Sequence, residues 1–268
     1  MPSADKRARK KENTRAAREA REAALRRKKR TRSTITVAVV VALFVGVIVL
    51  LNVTGSDKKK AASPATSTTT ATTTPPPAGC VRTVPPKSTP PTWKSAPAMT
   101  IDSSKTYVAT FSTSCGAFTA ALDAKDSPKG VNNFVFLAKN HFYDGLKWHR
   151  VVKDFVIQGG DPKGDGSGGP GYSVTTELPK DGYPLGTLAW AKTSSEPSGA
   201  AGSQFFVVTG TQTAALSQKA NGSYQYGVFG KVSAGLANAQ KIMSLAPSAG
   251  DGAPTIPMYI FKVTITES

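Results

Sequence analysis

The spacing of apolar and polar positions divides the chain into four regimes. Residues 1–33 interleave Ala with Arg, Lys and Glu and show no apolar face. From Ile35 to Val53 the sequence ITVAVVVALFVGVIVLLNV is uncharged throughout. That run is close to the ~20 residues a helix needs to cross a bilayer, and too long for a buried strand. Residues 54–97 are dominated by Ser, Thr, Pro and Ala, with almost nothing able to pack. Beyond residue 98 the pattern becomes that of short strands. Lys105–Thr113 and Gly116–Asp123 read as an antiparallel hairpin turned at Ser114–Gly116. Ser127-Pro128 is an N-cap followed by a first-turn proline, and Val131, Phe134, Val135 and Ala138 recur at helical spacing. Two strands flank Lys153-Asp154, and a Gly-rich loop follows from Gly159 to Gly171. Strands are expected at Thr187–Lys192, Gln204–Thr209, Gly227–Val232 and Met258–Thr266, with a second helix over Ala234–Leu245 capped by Ser233. Many short strands, two helices and no βαβ alternation predict a mainly β fold: a closed antiparallel barrel plugged by two helices.

Charge sharpens this division. The chain of 268 residues carries a formal net charge of +17, which suggests nucleic acid until the charge is localised. Most of the excess lies in residues 1–33, ending in RRKKRTR at Arg26–Arg32, on the N-terminal side of the apolar run. By the positive-inside rule residues 1–33 form a basic cytoplasmic tail, residues 34–53 one transmembrane helix, and the C-terminal bulk is exported at the cell membrane. A cleaved signal peptide is disfavoured by the long basic region and the lack of an A-x-A-like site. The tail has no aromatic residue for stacking, so no nucleic acid partner is expected. Residues 54–97 are a Thr/Pro-rich linker, a semi-rigid spacer in extended conformation. Residues 98–268 are the folded domain. The only cysteines are Cys80 and Cys115. In an exported chain a bond between them is one reading and two free thiols the other. With no nearby His they are not a metal site, and no metal or cofactor is expected.

Candidate chemistry centres on Trp148–Asp161, WHRVVKDFVIQGGD. Arg150 is the only arginine after Arg82 and sits among Val151, Val152, Phe155, Val156 and Ile157. A guanidinium within a β-branched strand is costly unless paired or needed. A salt-bridged or snorkelling surface arginine is the plain alternative. Gln158 can brace such a group, and SQFFVVTG at Ser203–Gly210 supplies a second Gln and two Phe. There is no G-x-S-x-G elbow, and His141 and His149 lack zincin spacing. His149 precedes Arg150 and faces the other side of the strand, while His141 follows the first helix as a surface residue. KGDGSGGPG neither ends a buried strand nor opens a helix, so it reads as a loop needing positive φ rather than a phosphate cradle.

Three segments in order, His149–Asp161, Gly202–Phe206 and Val228–Val232, resemble the cyclophilins, the family of peptidyl-prolyl cis-trans isomerases. The resemblance implies an eight-stranded closed barrel capped by two helices and an isomerase (EC 5.2.1.8) acting on X-Pro polypeptides. It implies Arg150 as the catalytic arginine and Gln158 as the residue that orients it. It places Phe155, Phe206 and Leu216 in the proline-pocket wall, Val156 where a methionine is common, and Gln204 against substrate backbone. Ala191 and Lys192 fall where the family has Ala-Asn, whose backbone binds the peptide. Trp190 replaces a common Met, Tyr226 stands where animal enzymes have a pocket histidine, and no tryptophan lies near Ala215. Cyclosporin-like inhibitors are therefore expected to bind with weakened affinity. Tail, stalk and loop style suit a membrane-anchored, actinobacterial-like form that assists the folding of exported proteins. The alternatives are a tethered proline-peptide binding module or chaperone whose isomerase activity is incidental, and a scaffold in which the basic tail is the functional part.

Overall fold

The computed structural model describes residues 74–86, 89–219 and 222–268. The basic tail, the expected membrane span at 34–53 and the first part of the linker lie outside the described residues. Among the described residues no helix is long and apolar enough to cross a membrane.

The chain from Thr72 onward forms one compact unit. Its strands are β1 (Tyr107–Thr113), β2 (Gly116–Leu122), β3 (Arg150–Val152), β4 (Val156–Gly159), β5 (Val174–Thr175), β6 (Thr187–Trp190), β7 (Ala200–Ala201), β8 (Phe205–Val208), β9 (Val228–Ala234), β10 (Asp251–Gly252) and β11 (Ile260–Glu267). Helix α1 spans Pro128–Lys139 and α2 spans Leu236–Met243. Nine strands form one antiparallel sheet in the order β10-β3-β4-β8-β6-β9-β2-β1-β11, and β5 pairs separately with β7.

The sheet is curled but open, which corrects the expectation of a closed eight-stranded barrel. Closure needs a ladder between the two terminal strands. Here the outer edge of β3 is taken by the two-residue β10, through Asp251↔Val152 and Gly252↔Val151. β11 meets the segment before β3 through three backbone hydrogen bonds around one isolated bridge, Lys147↔Tyr259, and no ladder joins it to β3. The result is a half-barrel with two distinct edges.

An aromatic core fills the concave side. Phe134 of α1 stacks on Phe229 at 4.9 Å and on Tyr143 at 5.2 Å, and meets Phe205 edge-on. Trp190 lies against Phe229 at 4.6 Å, fully buried, so this departure from the family pattern is a core substitution. Rings of this size bury ~150–250 Å² each and dominate the stability of such a core.

Ser127 is the N-cap residue of the first helix, as expected, while the second helix is capped differently. Pro128 opens α1, but Ser127 makes no side-chain capping bond. The distant Glu177 instead accepts the Lys129 and Gly130 N–H groups, both at 3.2 Å. A carboxylate there satisfies donors that the first turn leaves orphaned and matches the positive end of the helix dipole. Ser233 lies in β9 with its hydroxyl 3.0 Å from that of Thr119, and the α2 cap position is Gly235 at φ 77°.

The C-terminal part of the expected linker is not free of the fold. Cys80 and Cys115 are joined in a disulfide, and Val81 N–H donates to the Ser114 carbonyl at 2.7 Å. Trp93 packs edge-on to Phe136 at 4.9 Å and near Phe142 and Tyr172. Its N–H donates to the Pro170 carbonyl at 2.9 Å, so this arm holds one end of the Gly-rich loop.

Candidate active site

Strand pairing builds the site. The β3–β4 hairpin turns at Lys153-Asp154, with Asp154 at φ 51°, and this sets Arg150 opposite Gln158. Gln158 pairs with Phe206 of β8, and Phe206 with Ala189 of β6. Directly opposed residues of an antiparallel ladder share a face. Arg150, Gln158, Phe206 and Ala189 therefore form one row across four strands. The alternate residues Val151, Ile157, Phe205 and Leu188 turn inward and are fully buried.

A second apolar cluster covers the outward face, separate from the main core. Val156, Ala189, Phe206, Val208, Leu216 and Tyr183 are buried in it, with Phe155, Ala191 and Tyr226 packed at its margin. The ring of Tyr226 stands edge-on to Phe206 at 5.4 Å. Tyr183 was not among the sequence candidates. Its hydroxyl donates to the Tyr226 carbonyl and accepts from the Tyr226 N–H, both at 2.9 Å. Burial pushes its phenol up to about 12, keeping it neutral. Tyr224, also unanticipated, packs on Tyr183 at 5.5 Å.

A directed hydrogen-bond chain runs along the edge of this cluster. Arg150 Nη1 donates to Gln158 Oε1 at 3.2 Å, and Gln158 Nε2 donates to Gln204 Oε1 at 3.1 Å. Gln204 Nε2 then donates to the carbonyls of Gly166 and Gly168, both at 2.9 Å. Each amide thus has one defined orientation. The Gly-rich loop is shaped by Asp161, a buried carboxylate that accepts N–H groups from Lys163, Asp165 and Gly166. Gly160, at φ 82°, lies where a Cβ would come within 2.3 Å of the Ser203 carbonyl, so no larger residue fits between the strands. Loop and strands enclose a cleft of about 540 Å³ beside the row, lined by Gln158, Gln204, Lys163, Ser167, Lys192 and Glu196.

Ala191 N–H donates to the Gln204 carbonyl at 2.9 Å, joining both candidates at the cleft wall. Lys192 Nζ donates to the carbonyls of Thr193 and Glu196 and lies 5.7 Å from the centre of the Tyr226 ring. His149 is half-buried behind the row, and among the described residues neither ring nitrogen has a partner. Its pKa is held below the ordinary value, first by burial and then by Arg150, against the opposing pull of Asp161 and Asp165. His141 is exposed and pairs with Asp144 at 3.0 Å, away from the row. Asp251 was not anticipated: its carboxylate accepts from Arg150 Nε at 2.8 Å and from Nη2 at 2.7 Å.

Residues 108–265 match the model of the cyclophilin type peptidyl-prolyl cis-trans isomerase/CLD family. A peptidyl-prolyl cis-trans isomerase of Helicobacter pylori is 42% identical over 105 residues, covering 38% of this chain and 63% of that protein. Peptidyl-prolyl cis-trans isomerase A of Mycobacterium tuberculosis is 35% identical over 179 residues, covering 60% of this chain and 93% of that protein. A crystal structure of a Cryptosporidium parvum cyclophilin type isomerase, determined in the presence of the dipeptide Ala-Pro, superposes with a TM-score of 0.52 at 28% identity. It covers 60% of this chain and 99% of that one.

Proposed function

The chain belongs to the cyclophilin-type peptidyl-prolyl cis-trans isomerase family, and from that premise and the geometry of the Arg150 row we propose that it accelerates X-Pro isomerisation in polypeptides. The unassisted rotation faces a barrier of about 20 kcal/mol and takes tens of seconds. It needs no nucleophile and no proton transfer. The reaction is helped by a donor to the prolyl nitrogen as that atom loses resonance with the carbonyl, and by an apolar surface that holds the ring while the acyl side turns. Arg150 supplies the donor, and Phe155, Val156, Phe206, Leu216 and Tyr226 supply the surface. Backbone and side-chain groups of Ala191, Lys192 and Gln204 receive the flanking peptide. A guanidinium fixed before the substrate arrives stabilises the twisted state more than the planar one, which is what lowers a barrier.

The observation that carries this reading is the Arg150–Gln158 pair beside an apolar cluster that is separate from the core. Substoichiometric full-length chain, added to a short X-Pro peptide followed by exchange NMR, moves cis-trans exchange from tens of seconds to below a second. Unchanged exchange with a peptide that binds would leave the row as a binding site and favour the chaperone reading.

The domain works outside the cytoplasm, held at the outer face of the cell membrane by the apolar run at 35–53. The charge asymmetry of the sequence supports this, and so does the Cys80–Cys115 bond, which belongs in an oxidising compartment. Its clients are then exported proteins, and the mycobacterial relatives suit a bacterial, actinobacterial-like host. Protease added to intact cells should remove the domain; full protection would place it inside.

A further inference from the structure

We infer that Asp251 is a positioning residue for Arg150, so that β10 exists to hold the catalytic guanidinium in register; this rests on the isomerase reading above. Three observations converge. The first is the geometry of the pair. Both carboxylate oxygens are engaged, one by Nε at 2.8 Å and one by Nη2 at 2.7 Å. This fork-to-fork contact fixes a plane as well as a distance.

The second is the donor count. A guanidinium offers five N–H groups. Asp251 takes one from Nε and one from Nη2, and Gln158 takes one from Nη1. Every nitrogen is restrained once, and one N–H on each terminal nitrogen stays unpaired among the described residues. With Gln158 alone, the group could still turn about its long side chain, because Arg150 lies on a three-residue strand with its side chain 39% exposed.

The third is the way the backbone delivers the carboxylate. β10 pairs only with β3, and its register sets Asp251 against Val152, on the face that Arg150 shares. Lys153 N–H also donates to the Gly250 carbonyl at 2.8 Å, fixing the approach of the segment.

Removing the carboxylate has two opposed effects. It unmasks positive charge on Arg150, which would favour the twisted amide, and it releases the plane of the guanidinium. The pair is half-exposed, so water and salt screen the charge effect. Orientation is not screened, and a displacement of about 1 Å at a reacting group can cost ~100-fold in rate. Orientation therefore dominates.

The test uses the full-length chain and peptide isomerisation, with apparent kcat and KM separated. Asp251→Ala lowers kcat about tenfold with KM little changed, and the unfolding midpoint, followed alongside, stays at the wild-type value. Asp251→Glu, which restores a carboxylate on the exposed edge, recovers most of the loss. In an Arg150→Ala background, Asp251→Ala has no further effect, because no guanidinium remains to be positioned. Asp251→Ala turning over as fast as wild type would overturn the inference, and so would an equal loss in the Arg150→Ala background. A wild-type chain that does not isomerise the peptide would instead bring down the isomerase reading and this inference with it.

Discussion

The Cys80–Cys115 bond closes a loop with a sequence separation of 35, between the end of the Thr/Pro-rich segment and the β1–β2 turn. Reduction, or the pair Cys80→Ser and Cys115→Ser, releases that loop in the unfolded chain while leaving the strands themselves unaltered. On the chain-entropy view, a loop of this length contributes about 4 kcal/mol. Domains have only ~5–15 kcal/mol in all, so the loss is a large share of the total. For a unit the size of Thr72–Ser268 it corresponds to a fall in Tm of roughly 8–16 °C. Urea denaturation of this unit with and without reductant, beside the double serine variant, measures the effect. Reduced wild type and oxidised variant should coincide at the lower midpoint. A difference below about 1 kcal/mol would refute the reasoning and mean that the unfolded chain is already compact around this loop.

Two further outcomes follow from single side chains. His149 has a folded pKa below the ordinary 6.5. Between the two values the unfolded chain binds a proton that the folded one does not. Its contribution is therefore fully present above the unfolded pKa and is lost as pH falls through 6.5 toward the folded value; His149→Gln should flatten the urea midpoint across that window, and an unchanged slope would remove His149 as its source. Lys192 puts a cation at the cleft rim, so Glu-Pro peptides should turn over about two- to fivefold faster than Lys-Pro peptides, the scale of one exposed ion pair. Lys192→Asn should equalise them, and equal rates in the wild type would dismiss the charge as a selector.

What could be read from the sequence was whatever depends on short spacing. Arg150 and Gln158 are eight residues apart across a tight turn, so the hairpin that pairs them is visible in the β-branched pattern around Lys153-Asp154. Phe205 and Phe206 divide between core and site by simple alternation. What could not be read depends on long-range packing. Asp251 reaches Arg150 across a separation of 101 residues, and nothing local in Gly250-Asp251-Gly252 distinguishes it from an ordinary turn. Tyr183 and Tyr224 join the apolar cluster only once β6 and β9 are paired. Glu177 reaches the first turn of α1 from a loop beyond the hairpin and takes N–H groups that the Ser127 side chain, though at the cap position, leaves unbonded. The open sheet follows from β10 occupying the edge that closure would have used, and a two-residue strand leaves no periodicity to detect.

The most direct test of the central claim compares wild type with Arg150→Ala, measuring isomerisation of an X-Pro peptide and the peptide's affinity on the same samples. The variant should lose at least ~100-fold in kcat, the scale for removing one preorganised donor to a transition state. It should still bind the peptide nearly as well as wild type, because the apolar cluster is intact. A variant that binds the peptide and still isomerises it at the wild-type rate would contradict the account, and would leave the apolar surface, not the guanidinium, as the source of any catalysis.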